Sequence, residues 1–129
     1  MEIKGNYTLD KAFVGFDDDF NNKYMSKDEV LKLDGRQKDD MIVMAMMFAR
    51  MDVEVTDNEL IFKLKQDMDK IAKKFMEDDD MKATNGIIKY SYKKKGKKYI
   101  ITSIDGEEEG EIEFKNDSLE FNFSTFKKI

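Results

Sequence analysis

The chain has 129 residues, a formal net charge of −5, and hydrophobic and charged residues at 40% each. It contains no cysteine and no histidine, which excludes disulfides, thiolate nucleophiles, Cys-ligated metals, and both Ser/His/Asp and Cys/His catalysis. A chain of this length can bury one sizeable core, so residues 1–129 are expected to form a single folded domain.

The first ten residues, MEIKGNYTLD, lack the basic start and apolar run of a signal peptide. This fits a cytoplasmic protein, and it equally fits a mature secreted domain expressed from an added Met1. The longest apolar run, residues 41–49, is about half of the roughly 20 residues that a spanning helix needs. No membrane span is therefore predicted.

The N-terminal part is predicted to hold a strand, a loop and a short helix. Apolar and polar residues alternate along residues 2–9, which predicts a half-buried strand. Residues 13–20 mix phenylalanines with three consecutive aspartates and are predicted to form a loop. Residues 26–29 have the capping-box pattern and Gly35 supplies a stop signal, so a short helix is predicted between them.

A methionine-rich helix is predicted from about residue 37 to residue 51. Five of the ten methionines lie here, with Asp39 and Asp40 in the first turn and Arg50 in the last, as the helix dipole favours. Apolar side chains cover nearly the whole circumference of this helix. It is therefore predicted to be covered on more than one side.

The remaining three-fifths of the chain is predicted to be mainly antiparallel strands. Apolar and polar residues alternate before and after the turn residues 56–59, along residues 53–55 and 60–64. This pattern predicts a hairpin. Residues 66–79 carry apolar side chains at the spacing of a third helix with one buried face. Within residues 88–124, apolar and polar residues alternate in four short segments separated by turns. This is the pattern of a β-meander with one solvent-exposed face.

The opening strand carries Gly5-Asn6-Tyr7, followed by helices and an up-and-down run of strands. This arrangement resembles the calycin family, in particular short bacterial lipocalin-like domains whose opening strand carries Gly-x-Trp; Tyr7 stands in the tryptophan position. The paired helices after the first strand also look like the lid of fatty-acid-binding proteins, although the Arg-x-Tyr that holds a carboxylate in that family is absent from residues 121–129. The resemblance implies a barrel whose interior binds small apolar molecules.

Pattern and resemblance together predict an α+β fold. The predicted sheet is antiparallel and up-and-down, or a partly closed lipocalin-like barrel, with about seven strands. Helices are predicted after strand 1 and after strand 3, and the methionine-rich helix is expected to pack over the concave apolar face of the sheet.

Three charged segments raise other kinds of site. The aspartates at 17–19 and 78–80 suggest calcium, but the EF-hand spacing fails after residue 78, so solvated loops and no metal site are predicted. Five lysines within residues 93–98, flanked by Tyr90, Tyr92 and Tyr99, suit phosphate, a membrane surface or single-stranded nucleic acid. Protection of a hairpin edge explains these lysines better, and no nucleic acid partner is predicted.

The acidic run at residues 107–113 raises the question of paired catalytic carboxylates. Alternation places Glu111 and Glu113 on the solvent face of a strand, where they do not converge. The chain is therefore predicted not to be an enzyme, and no cofactor is predicted.

Two functions remain open. The first is a non-catalytic, lipocalin-like binding protein for a small apolar ligand or lipid, which requires a cavity of roughly 300 Å³ or more. Its candidate lining residues are Tyr7, Met44, Met47, Phe48, Met51, Phe62, Tyr90, Phe114 and Phe121. The alternative is a protein-interaction module, of inhibitor or immunity type, acting through an acidic surface or a sheet edge. A homodimer formed through the exposed part of the methionine-rich helix is a variant of the alternative.

Overall fold

The computed structural model describes residues 2–129 and shows a closed antiparallel β-barrel with helices across one end. The strands are β1 (Gly5–Phe16), β2 (Asn22–Ser26), β3 (Met51–Val55), β4 (Glu59–Leu64), β5 (Ile87–Lys95), β6 (Lys98–Ser103), β7 (Glu109–Lys115), β8 (Ser118–Phe121) and β9 (Ser124–Lys128). The helices are α1 (Lys27–Leu31) and α2 (Asp40–Phe48), between β2 and β3, and α3 (Lys70–Phe75) and α4 (Asp79–Ala83), between β4 and β5.

Eight of the nine strands form the barrel wall. They run in the order β1-β3-β4-β5-β6-β7-β8-β9, and β9 returns to pair with β1, where Tyr7 lies opposite Lys128 and Leu9 opposite Phe126. Closure removes free edges from the wall. Among residues 2–129, β2 is the one strand with a single partner strand.

Strand β1 changes partners along its length. Its first half pairs with β3 and β9, and its second half pairs with β2, with Lys11 opposite Ser26 and Phe16 opposite Asn22. A bulge between Leu9 and Lys11 separates the two halves, and a bulge bends the strand that carries it. The β1–β2 hairpin therefore extends past the wall on the side of the helices.

The predicted strand count was wrong: residues 2–129 form nine strands instead of seven. Residues 13–16 of β1 were predicted as loop, and β2 lies in a segment for which no strand was predicted. Strand β9 was missed because Asn122 and Phe123 form a turn, with φ of +48° and +67°, although Phe123 continues the apolar alternation. Helices accordingly follow β2 and β4, not the first and third strands.

The helices begin where the capping residues lie. Ser26 and Glu29 form the predicted capping box of α1. The predicted third helix is divided in two because the Asp78 carboxylate accepts hydrogen bonds from the backbone N–H groups of Asp80 and Met81, which starts α4 as a separate helix. Helix α2 is shorter than predicted at both ends.

Aromatic side chains fill the barrel interior in two clusters. The cluster at the end away from the helices consists of Tyr7, Tyr92, Tyr99 and Phe114, with successive ring centroids 5.1–6.1 Å apart. The cluster nearer the helices consists of Phe48, Phe62, Tyr90, Phe121 and Phe126, with centroids 5.1–6.1 Å apart. The helix residue Phe48 thus reaches among rings from β4, β8 and β9.

Candidate functional site

Helix α2 has three apolar faces with different surroundings. The first packs on the barrel through Ala45, Phe48 and Ala49, which are at most 5% exposed. Each of the other two faces lines a cavity, and Ala45 and Phe48 also border the second of these cavities. The near-complete apolar circumference thus corresponds to one face buried against the barrel and two faces that border cavities.

The larger space, here called the inter-helix cavity, has a volume of about 480 Å³ and lies between α2, α3, α4 and the start of β5. Its apolar lining comes from all four elements: Val43, Met46, Met47, Ile71, Phe75, Met81 and Ile88. The polar side chains are Gln37, Lys74 and Asp78. A mainly apolar cavity of this size with few polar groups is typical of small-molecule sites.

An ion pair between Arg50 and Asp69 joins the two helices that form most of this lining. Arg50 follows α2, has no exposed surface, and donates from Nη1 to the carbonyl oxygen of Met46 at 2.9 Å. Its Nε donates to both carboxylate oxygens of Asp69, at 3.0 and 3.1 Å. The same carboxylate caps α3 by accepting the N–H of Ala72. One pair of side chains therefore sets the position of α3 against the end of α2.

The electrostatics of this pair follow from its geometry. The hydrogen bond from Arg50 holds the pKa of the Asp69 carboxyl below its usual value of 3.8, against the opposing effect of desolvation. Arg50 Nη2 also lies 3.0 Å from Asp69 Oδ2, but at an angle that gives its hydrogens no well-aligned acceptor within residues 2–129. The ion pair is thus strong at Nε and incomplete at Nη2.

Gly86 fixes the other end of the helical layer. Its N–H donates to the carbonyl oxygen of Met81, and its own carbonyl oxygen accepts the N–H of Leu64, both at 2.8 Å. Its φ of +76° lies in the left-handed region, and a Cβ there would come within 3.3 Å of the Leu64 side chain. Glycine at this position lets the chain leave α4 and enter β5 close to the barrel.

A second, smaller cavity of about 260 Å³ lies on the opposite side of α2. Met41, Met44 and Phe48 line it together with side chains from β1 and the β8–β9 turn. An aromatic patch lies beside it, formed by Phe13, Phe16, Tyr24 and Phe123. The ring of Phe13 is central, with its centroid 5.3–6.0 Å from those of the other three rings.

The nine predicted lining residues are divided among three places. Met47 lines the inter-helix cavity, and Met44 and Phe48 line the smaller cavity. The remaining six are packed in the core or the barrel interior: Tyr7, Met51, Phe62, Tyr90, Phe114 and Phe121. Whether any of the nine contacts a ligand stays a prediction.

Most of the inter-helix lining was not among the predicted residues. Ile71 and Phe75 belong to the apolar stripe of residues 66–79, which was predicted to pack face down but not against a cavity. Val43 and Met46 lie on the face of α2 away from Met44. The stripe was the available signal, because a helix with one apolar face must cover something apolar.

The charged segments have local structural roles. Asp17 Oδ1 accepts the N–H groups of Asp19 and Asn21, both at 2.9 Å, so it shapes the β1–β2 turn. Within residues 2–129, no group of three or more acidic side chains is arranged to hold a metal ion. The lysine run at 93–98 forms the β5–β6 hairpin at the far end of the barrel, and Lys98 pairs with Glu111 at 3.3 Å on the outer face.

Helix length bears on the membrane question. The longest helix of the described chain, α2, has nine residues, and none over residues 2–129 combines the length and apolar character of a membrane span.

Comparison with known proteins matched no family model, no curated protein and no solved structure.

Proposed function

We propose that this protein binds a small apolar ligand in the inter-helix cavity and does so without catalysis. The observation that carries the proposal is the cavity itself, about 480 Å³ with apolar side chains from α2, α3, α4 and β5. Ligand pockets of globular proteins fall in the range of about 300–1,000 Å³.

The composition of the lining supports an adaptable apolar site. Three methionines line the cavity, Met46, Met47 and Met81, and their unbranched, polarizable side chains fit ligands of varied shape. Lys74 and Asp78 contribute charges of opposite sign, so the site as a whole favours neither an anion nor a cation.

The proposal differs in one respect from what the lipocalin-like resemblance implies. In a calycin the ligand lies inside the barrel, whereas here the interior is occupied by the two aromatic clusters. We propose that the barrel serves as a rigid support, and that the ligand lies between it and the helices.

The test begins with native mass spectrometry of the purified protein, which reports any co-purifying molecule. Titration with the neutral fluorophore diphenylhexatriene then compares the unmodified chain with Val43→Phe, which fills the cavity. Met68→Phe is the control, because Met68 is 40% exposed and does not line the cavity. We expect Val43→Phe to weaken fluorophore binding at least tenfold and Met68→Phe to leave it unchanged. Equal binding by all three proteins, with no co-purified molecule, would refute the proposal.

A second candidate function, a protein-interaction module, is favoured by the β1–β2 hairpin. Strand β2 has an unpaired edge, and Phe16, Phe20 and Phe123 are 62%, 86% and 63% exposed near it. Exposed aromatic side chains beside a free strand edge are typical of surfaces that pair with another polypeptide. The aspartates at 17–19 would favour a partner with basic residues.

This second candidate is tested through the hairpin. The double variant Phe16→Ser, Phe20→Ser should abolish capture of a basic partner from cell extract, and sedimentation of the unmodified chain should show whether the partner is a second copy. A monomer that captures nothing, before and after substitution, would count decisively against an interaction module.

A further inference from the structure

An apolar groove lies on the other side of α4 from the inter-helix cavity. This outer groove has a volume of about 570 Å³ and runs between α4, the start of β5 and the end of β6. Its apolar surface includes Ile87 and Ile104, the latter 69% exposed. Two residues, Met81 and Ile88, line both the groove and the inter-helix cavity.

The two shared residues differ in their freedom to move. Ile88 is β-branched and lies on a barrel strand, so rotation about its χ1 bond is restricted. Met81 is unbranched, with three rotatable side-chain bonds, and it lies on a helix of only five residues. Met81 is 8% exposed and lies between the two spaces. A change of its rotamer is therefore the smallest movement that would join them.

We propose that the inter-helix cavity and the outer groove form one elongated site for a single unbranched alkyl chain, with Met81 as the movable divider. This inference rests on the proposed function and names its ligand class. The tail of the chain lies in the inter-helix cavity, and the polar end lies in the outer groove.

The charges of the groove select the polar end of the ligand. Asp80 and Asp105 face it with one lysine, Lys89. Hydrogen bonds from Ser103 and from the N–H of Glu107 lower the pKa of the Asp105 carboxyl, so that group stays ionised near neutral pH. An excess of negative charge disfavours a carboxylate. The ligand class is therefore a long-chain molecule with a polar end that is not anionic, and a long-chain alcohol is the probe of that class.

The experiment measures displacement of diphenylhexatriene by octanol, dodecanol, hexadecanol and hexadecanoic acid. In the unmodified chain we expect affinity to rise with alcohol length, and hexadecanol to bind more tightly than the acid of equal length. Met81→Ala should increase affinity for hexadecanol relative to octanol by about fourfold, the effect of one further buried methylene. Met81→Phe should lower the affinity for hexadecanol more than the affinity for octanol, and Met68→Ala should change neither.

The outcomes separate the inference from the function on which it rests. Binding of all alcohols with a length dependence that neither Met81 variant alters would overturn the elongated site and leave the inter-helix cavity as the ligand site. Hexadecanoic acid binding more tightly than hexadecanol would overturn the choice of an end that is not anionic. Absence of binding by every probe would overturn both proposals. If Met81→Ala does not fold, Met81→Phe decides alone.

Discussion

Arg50 and Asp69, 19 residues apart in sequence, form an ion pair whose cation has no exposed surface. Two oxygens of one carboxylate accept hydrogen bonds from a single guanidinium nitrogen, and the same carboxylate starts α3. Because the arginine also holds the last turn of α2, the two helices beside the cavity share one polar contact.

Asp69→Asn should destabilise the fold by about 3 kcal/mol, because removal of one member of such a pair leaves a buried charge without its partner. Urea unfolding measures the change. Glu54→Gln is the control: Glu54 pairs with Lys63 at 3.4 Å on the surface, where loss of a partner costs at most about 1 kcal/mol. Equal losses from the two substitutions would contradict the structural role of Arg50.

The same pair should make stability depend on pH in acid. The folded-state pKa of Asp69 lies below 3.8, so the pair contributes its full stabilisation above the unfolded-state value, and this contribution is lost as pH falls through the folded-state pKa. The difference in unfolding free energy between the unmodified chain and Asp69→Asn should therefore be constant from about pH 7 to pH 5 and shrink below about pH 4. A difference that grows as pH falls would be inconsistent with a depressed pKa.

Gly86→Ala should destabilise more than Gly96→Ala. Both glycines have positive φ, +76° and +66°, so both substitutions impose left-handed strain of about 1–2 kcal/mol. A Cβ at Gly86 would also crowd Met76 Sδ at 3.1 Å and Leu64 Cβ at 3.3 Å, whereas the space at Gly96 is open. Thermal and urea unfolding should show an extra loss of about 1–3 kcal/mol at Gly86.

Asp39→Ala should cost about 1 kcal/mol through loss of the N-cap of α2. The Asp39 carboxylate accepts the N–H groups of Met41 and Ile42 at 2.9 and 3.3 Å. Asp40→Ala, one residue later in the exposed first turn, changes the charge by the same amount without removing the cap. Equal unfolding midpoints for the two variants would show that the cap contributes nothing measurable.

Alternation and capping were sufficient to predict much of the fold. The hairpin of β3 and β4 and most of the meander follow from period-two patterns, and Ser26 and Glu29 mark the start of α1. Such patterns report burial on one face and not the identity of the neighbouring strand. Strand β2 was missed because its residues are half-buried or exposed along the whole strand, so it lacks the alternation that predicted the others.

The candidate site was harder to predict than the fold. A helix with apolar residues on every side must be covered, but its sequence does not say which face meets the barrel and which meets a cavity. The predicted lining residues on α2 included Met44 and Phe48, which border the smaller cavity. The larger cavity lies against Val43 and Met46. That choice depends on Arg50 and Asp69, which bring α3 to one side of α2 through a contact between distant residues.

The closure of β1 with β9 has a consequence for synthesis of the chain. Leu9 pairs opposite Phe126, and Ile129 donates its N–H to the Asn6 carbonyl oxygen, so the first strand acquires its last partner only when β9 has left the ribosome. Pairings between such distant residues form slowly, and an unpaired edge recruits other chains meanwhile. A nascent chain of this protein therefore carries an open β1 edge until residues 124–128 have emerged, the period in which protection by a chaperone would matter most.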